Sequence, residues 1–330
     1  MKKSALICTY LAVMPATFLL GAALPVVPAH AFSATTYVAS NGSDTTACPR
    51  ATPCATIGFA LSFTPDGGVL RCVDPLTNAT HQGTVTITQS VTIDCLGVNA
   101  SIARHGAVGF VINGAGINVT LRGLTITTPT SVNGFTPGTI GVNIMNAANV
   151  AIQDCAISGF TTSGIIFAPA AAGKLLVTDT ILSNNGNGTT GGGIIVKSQA
   201  GGTAQVTLNR VIADKNVFGI VADGAGSAGG INMTVTDSVS SGNTQDGIIA
   251  VTPSGGAPIG VMVKNSKSVN NNIGIRSIGP NVTVRVSGSS VIGNSTALSF
   301  SAGGALLSFG NNDVAANGSN GAFNGSVGLQ

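Results

Sequence analysis

Ten copies of one short pattern, an apolar anchor followed two positions later by a turn former, run along most of this chain and constrain its fold more than any other feature. The anchors are Leu70, Ile93, Leu121, Ile152, Val177, Leu208, Val235, Val263, Val286 and Phe309, spaced by 23 to 31 residues. A unit that short cannot bury an apolar face alone, so the period implies stacked units sharing one continuous core. Two positions after each anchor stand Cys72, Cys95, Gly123, Asp154, Asp179, Arg210, Asp237, Asn265, Gly288 and Asn311, most of them residues that relieve a turning backbone. Six positions further come Asn185, Asn216, Asn243, Asn271, Asn294 and Asn317 in six successive copies. Asn tolerates the left-handed conformation, and stacked Asn side chains can hydrogen-bond one another at the strand spacing of roughly 4.8 Å, so the column reads as an asparagine ladder. A third column, Gly141-Val142, Gly164-Ile165, Gly193-Ile194, Gly219-Ile220, Gly247-Ile248 and Gly274-Ile275, opens the next strand.

Three short strands per repeat, stacked in parallel with loops of variable length between them, describe an all-β, single-stranded, right-handed parallel β-helix of about ten coils. At roughly 4.8 Å per coil the rod would be roughly 45 Å long. Composition agrees, since 46 Gly, abundant Val and Ile and a complete lack of Glu suit strands and tight turns better than helices. Repeat length changes at Gly186 to Gly192, Gln199 to Gly202 and Ala222 to Gly230, which are expected to be loops. "ATIGFALSF" after Cys54 places Ile57, Ala60 and Leu61 on one helical face and is followed by Asp66-Gly67. It is expected to form a short amphipathic helix capping the open N-terminal end of the stack. The expected organisation is residues 1–31 as a signal peptide, 32–68 as the cap, 69–318 as the β-helix and 319–330 as a tail.

The signal peptide is read from Lys2 and Lys3, the apolar stretch from Ala5 to Val27, and the small-x-small triplet Ala29-His30-Ala31. Pro15 and Pro25 interrupt the stretch and no second long apolar run follows, so no membrane insertion is expected after cleavage, and the protein is expected to be secreted, periplasmic or at the cell surface. Beyond residue 31 the chain carries 12 basic side chains against 11 acidic ones. That balance argues against nucleic acid, which calls for a clustered basic surface. Five cysteines remain, and in an exported protein pairs are expected. Cys72 and Cys95 hold equivalent positions in adjacent coils and Cys48 and Cys54 bracket "CPRATPC", so these are the two expected bridges. Cys155 is left as a buried thiol.

The stretch "TYVASNGSDTTACPRATPCATIGFAL" at residues 36–61, with "VTITQSVTIDCLG", "NVTLRGLTIT" and the repeated "GII" beside Asn turns, resembles the bacterial secreted right-handed parallel β-helix repeat proteins of the pectate-lyase-like superfamily. The resemblance covers essentially all of the chain beyond the signal peptide. It implies the fold strongly and an activity weakly, because this fold hosts lyases, glycoside hydrolases, adhesins and proteins without catalysis. The polygalacturonate-hydrolysing members share an Asn-x-Asp, Asp-Asp, Gly-His-Gly and Arg-x-Lys set. This chain matches only the first element, at Asn311-Asn312-Asp313 in its last coil.

Asp154, Asp179, Arg210 and Asp237 fall in one column of four consecutive coils, which would bring two carboxylates about 5 Å apart beside a guanidinium. No cofactor or metal is expected; were the column a site, these four would be the candidate catalytic residues and Asp154 and Asp179 the candidate ligands of a Ca²⁺ ion. The competing reading is a turn column in which Asp, Asn and Gly are interchangeable, and Asn265 and Gly288 in the same column favour it. His81 and His105 stand one coil apart and are expected to be an exposed pair rather than metal ligands. Lys264 and Lys267 flank the Asn265 turn as a solvated edge. The positions before the anchors, Thr92, Thr120, Ala151, Leu176, Thr207, Thr234, Met262 and Arg285, form no regular Thr array. The lack of Trp weighs against a sugar-stacking platform. The expectation is therefore a non-catalytic surface or glycan-interacting scaffold, with a polysaccharide or cell-surface macromolecule as partner; the alternative is a lyase or glycoside hydrolase acting on acidic polysaccharide.

Overall fold

The computed structural model describes residues 34–76, 83–98, 100–103, 106, 108–128, 136–199, 201–226 and 229–328. The segment expected to be a signal peptide, His81 and His105 lie outside the described residues. Beyond them the chain is a right-handed parallel β-helix of three parallel sheets with 12, 9 and 9 strands. One coil shows the plan: Gly173–Thr178 in the first sheet, Ile181–Ser183 in the second, Gly192–Val196 in the third, then Ala204–Asn209 back in the first, one rung on. Val177 pairs with Leu208 across that step, and the anchors pair in register from Leu70 through Val286. All nine of those side chains are buried. Val, Ile and Leu suit these short strands because branched side chains pack well on a pleated surface whose other side is wet.

Two sequence expectations are corrected at the ends of the stack. Only eight coils carry a strand in all three sheets, from Val91–Asp94 to Thr296–Ser301. The coil begun by Gly68–Cys72 has no second-sheet strand among the described residues, and the coil begun by Ala305–Ser308 has no third-sheet strand. The tenth anchor is also displaced. Val286 pairs with Ser308, not Phe309, and Gly310 takes the left-handed turn at φ +84°. Register resumes at Ser290 with Asp313, so this turn holds one more residue than the turn before it. Asn311 instead accepts a hydrogen bond from the backbone N of Gly288 at 2.9 Å.

The remaining features follow the columns. Helix α1 (Ile57–Phe63) buries Ile57, Ala60 and Leu61, and it ends at Phe63, short of Asp66-Gly67. Thr56 caps it by accepting from the backbone N of Phe59. Gly192 and Ala222, expected in loops, are strand residues. The disulfides are Cys48–Cys54 and Cys72–Cys95, with Cα separations of 4.9 and 4.8 Å, and Cys155 is a buried free thiol. Burial pushes that thiol up to about 11.

The six Asn form a continuous file inside the corner between the second and third sheets. Each rung repeats one geometry: Asn216 Oδ1 accepts from both the backbone N and Nδ2 of Asn185, at 2.9 and 3.0 Å, and Asn243 serves Asn216 in the same way. The pattern continues through Asn271 and Asn294 to Asn317. The left-handed residue at this corner is the one before the ladder, as at Asn184, Lys215 and Asn270. Each ladder Asn therefore turns its side chain inward while its neighbour absorbs the bend. The glycine column makes room for the file. A Cβ on Gly219 would stand 2.1 Å from Ser240 Oγ and 2.4 Å from the carbonyl oxygen of Gly247.

Candidate functional site

The column of candidate catalytic residues is the corner between the first and second sheets. Asp154, Asp179, Arg210 and Asp237 all adopt the left-handed conformation, with φ of 50 to 52°. Gly123, Asn265 and Gly288 do the same in the flanking coils. The side chains point to solvent, where Asp154 and Asp179 pair with arginines. Arg210 grips Asp179 through two bonds, Nε to Oδ1 and Nη2 to Oδ2, each 2.6 Å. That guanidinium holds the Asp179 carboxyl below the usual carboxylate range. Arg122 Nε lies 3.8 Å from Asp154 Oδ2. Asp237 Oδ2 accepts from Asn209 Nδ2 at 3.3 Å.

This geometry offers little to catalysis. A general acid at neutral pH needs a carboxyl held above its normal range, and Asp179 is moved the other way. A Ca²⁺ site needs six to eight oxygen ligands, whereas both Asp179 oxygens are taken by Arg210. Among the described residues no group of three or more His, Cys, Asp or Glu converges.

A larger surface lies on the outward side of the first sheet. Residues one and three positions before each anchor point away from the core, so register aligns them in files. One file runs Asn118, Asn149, Lys174, Gln205 and Asn232; the next runs Thr120, Ala151, Leu176, Thr207, Thr234, Met262 and Arg285. Two depressions of about 400 and 360 Å³ lie along these files and share Gln205 and Thr207, which makes them one strip. The first has an apolar floor at Ala151 and Leu176 with Asn149 and Lys174 beside it. The second carries the amides of Gln205 and Asn232 and the hydroxyls of Thr207 and Thr234, then Met262, and ends at Arg285. Asn149 Nδ2 donates to Asn118 Oδ1 at 2.7 Å, which links successive rungs. Lys174, Lys264 and Arg285 make no ion pair among the described residues. The sequence held this signal at the positions before the anchors, but the files mix residue types and carry no repeated signature.

A second arrangement was not legible beforehand. Asp246, at the start of the third-sheet strand Asp246–Val251, is buried to 1% side-chain exposure, and its Oδ2 lies 3.3 Å from Arg276 Nη1. Asp246 Oδ1 and Arg276 Nε are buried without hydrogen-bond partners. Burial pushes the Asp246 carboxyl above the usual range, against the opposing pull of Arg276.

No family model matches the sequence, and no curated protein matches it. Similar solved structures include the pectate lyase Pel9A, at 15% identity and a TM-score of 0.49 over 83% of this chain and 67% of that one. A periplasmic alginate epimerase, AlgG, is similar at 11% identity and a TM-score of 0.40 over 84% and 82% of the two chains. A GH136 lacto-N-biosidase from Eubacterium ramulus is similar at 10% identity and a TM-score of 0.30 over 90% and 67%. What this chain shares with them is the right-handed parallel β-helix.

Proposed function

We propose that the protein is an exported, non-catalytic β-helix scaffold that holds a glycan chain along the outward face of its first sheet. The carrying observation is the continuous strip from Asn118 to Arg285, where amides or hydroxyls stand on the rungs of Asn118, Asn149, Gln205 and Asn232, and where Lys174 and Arg285 make no ion pair among the described residues. A polymer laid parallel to the stack would meet polar side chains on successive rungs roughly 4.8 Å apart, interrupted at Gly260 and Met262. The unpaired cations favour an acidic polysaccharide over a neutral one. Two disulfides support an oxidising, extracytoplasmic location. Among the described residues no helix is long and apolar enough to cross a membrane.

The non-catalytic reading rests on the strip's lining, which contains no carboxyl among the described residues. Glycoside hydrolysis calls for two carboxyls at a fixed separation. Here the Asp column at the neighbouring corner is held by Arg122, Arg210 and Asn209. Affinity electrophoresis in polygalacturonate, alginate and a neutral glucan tests both parts. Retardation by the acidic polymers is expected, weakened by roughly threefold for each of Lys174→Gln and Arg285→Gln, the worth of one exposed charge pair. Migration unaffected by any polymer would refute glycan binding. Unsaturated product appearing on incubation with either uronate would overturn the non-catalytic part.

A further inference from the structure

We infer that Asn187 is a site of spontaneous deamidation, set apart by the fold from chemically identical Asn-Gly pairs, and that it carries a timed change of charge. The sequence contains eight Asn-Gly pairs, of which Asn133-Gly134 lies outside the described residues. At such a pair the backbone nitrogen of the glycine, having lost its proton, attacks the Asn Cγ. A C–N bond forms, the side-chain nitrogen leaves as ammonia, and a five-membered imide remains. Water then opens the imide at either carbonyl to give aspartate or isoaspartate, so the net change is amide plus water to carboxylate plus ammonium. The reaction needs a free backbone N–H on the glycine and a side-chain amide able to rotate onto it.

The structure withholds one or both requirements at the other described pairs. Gly42, Gly114, Gly186 and Gly318 each donate their backbone N–H to a carbonyl, at 3.0, 2.8, 2.8 and 2.9 Å. Asn185 is also fixed through Oδ1, which accepts from the backbone N of Phe160, and through Nδ2, which donates to Ile157 and Asn216. Asn324 is bonded at both ends of its amide, to Leu306 and Gly304. Asn320 Oδ1 accepts from Asn317 Nδ2.

Asn187 differs in every respect. Asn187 and Gly188 are exposed at the tip of a reverse turn closed by reciprocal backbone bonds with Thr190, at 3.0 and 3.1 Å. The Gly188 N–H and the Asn187 side-chain amide make no hydrogen bond among the described residues, and nothing lies within 4 Å of where a Gly188 Cβ would be. The turn sits between the second and third sheets, with Gly186 N bonded to Phe160 and Gly192 N bonded to Thr162 on either side. An extra backbone methylene from isoaspartate is therefore confined to the turn. The new charge arises at a corner that does not adjoin the first sheet, so this inference stands independently of glycan binding.

The test is peptide mapping by mass spectrometry after incubation of the folded protein at mildly alkaline pH, beside the same chain in denaturant. In the folded protein Asn187 should convert faster than Asn185 by a factor on the order of a hundred, because Asn185 reacts only after local opening. In denaturant the two sites should converge. The variant Asn187→Gln should lose the acidic species on isoelectric focusing. Equal conversion at Asn185 and Asn187 in the folded protein, or an Asn187 that reacts only in denaturant, would overturn the assignment.

Discussion

Among the described residues, Asp246 is the one carboxylate that the fold buries without fully satisfying. Its Oδ2 faces Arg276 and its Oδ1 faces nothing that donates. Burial disfavours the charged form more than Arg276 restores it, so the folded carboxyl titrates above the unfolded one. A raised folded value means that the folded state binds the proton more readily. Stability contributed by this group is fully present below the ordinary carboxylate pKa and is lost as pH rises through the raised value. Asp246→Asn, which keeps the shape and removes the charge, should raise the midpoint of chemical denaturation at neutral pH and flatten its rise on mild acidification. A variant less stable than wild type at neutral pH, with the acid-side rise intact, would show that the Arg276 pair outweighs desolvation. Neither residue belongs to a file of like residues, and they stand 30 apart in sequence. That is why the pair was invisible in the sequence, whereas Asp179 and Arg210 could at least be placed in one column.

At the scale of an element, the corner between the second and third sheets works as one device made of two columns. The ladder needs space for an amide on every rung, and glycine one residue before the Ile column provides it. Gly219→Ala would drive a methyl group into Ser240 Oγ and the carbonyl of Gly247, with Asn243 Nδ2 2.9 Å away. The cost should be about 3 kcal/mol, the upper end for overpacking, because a backbone carbonyl cannot step aside. Urea denaturation measures it, and a loss below about 1 kcal/mol would mean that the corner yields. Both columns were legible in the sequence because their residue types recur at a fixed offset from the anchors. The displaced tenth anchor was not, because Phe309 kept the pattern's spelling while one added turn residue moved the pairing to Ser308. Spelling and register separate wherever a turn changes length.

At the scale of the whole stack, different coils are tied by different means. The corner file of amides runs from Asn185 to Asn317, and no such file occupies that corner in the earlier coils among the described residues. There Cys72–Cys95 joins adjacent rungs and α1 covers the end. Closing a loop of 23 residues should be worth about 3 kcal/mol. Replacing Cys72 and Cys95 together by Ser should speed hydrogen exchange in the strands from Gly68 to Asn113 while leaving those beyond Asn185 unchanged, since each coil touches only its neighbours. Uniform acceleration along the stack would instead mark the molecule as one cooperative unit. The fold was readable at this scale because stacked repeats translate sequence period into space. The outward strip was not, because side chains that pack against no core need not repeat one residue type from rung to rung.

The one-below-the-other bonding of the asparagines sets a rule for how such a chain can change in length. Losing a single residue from a strand would swing every later amide in that turn out of file, whereas deleting or duplicating a complete turn would present each remaining amide with an identical partner. Turns and loops can take single residues, but the stack itself grows by full circuits, and the reach of the outward strip can be lengthened or shortened only in those steps.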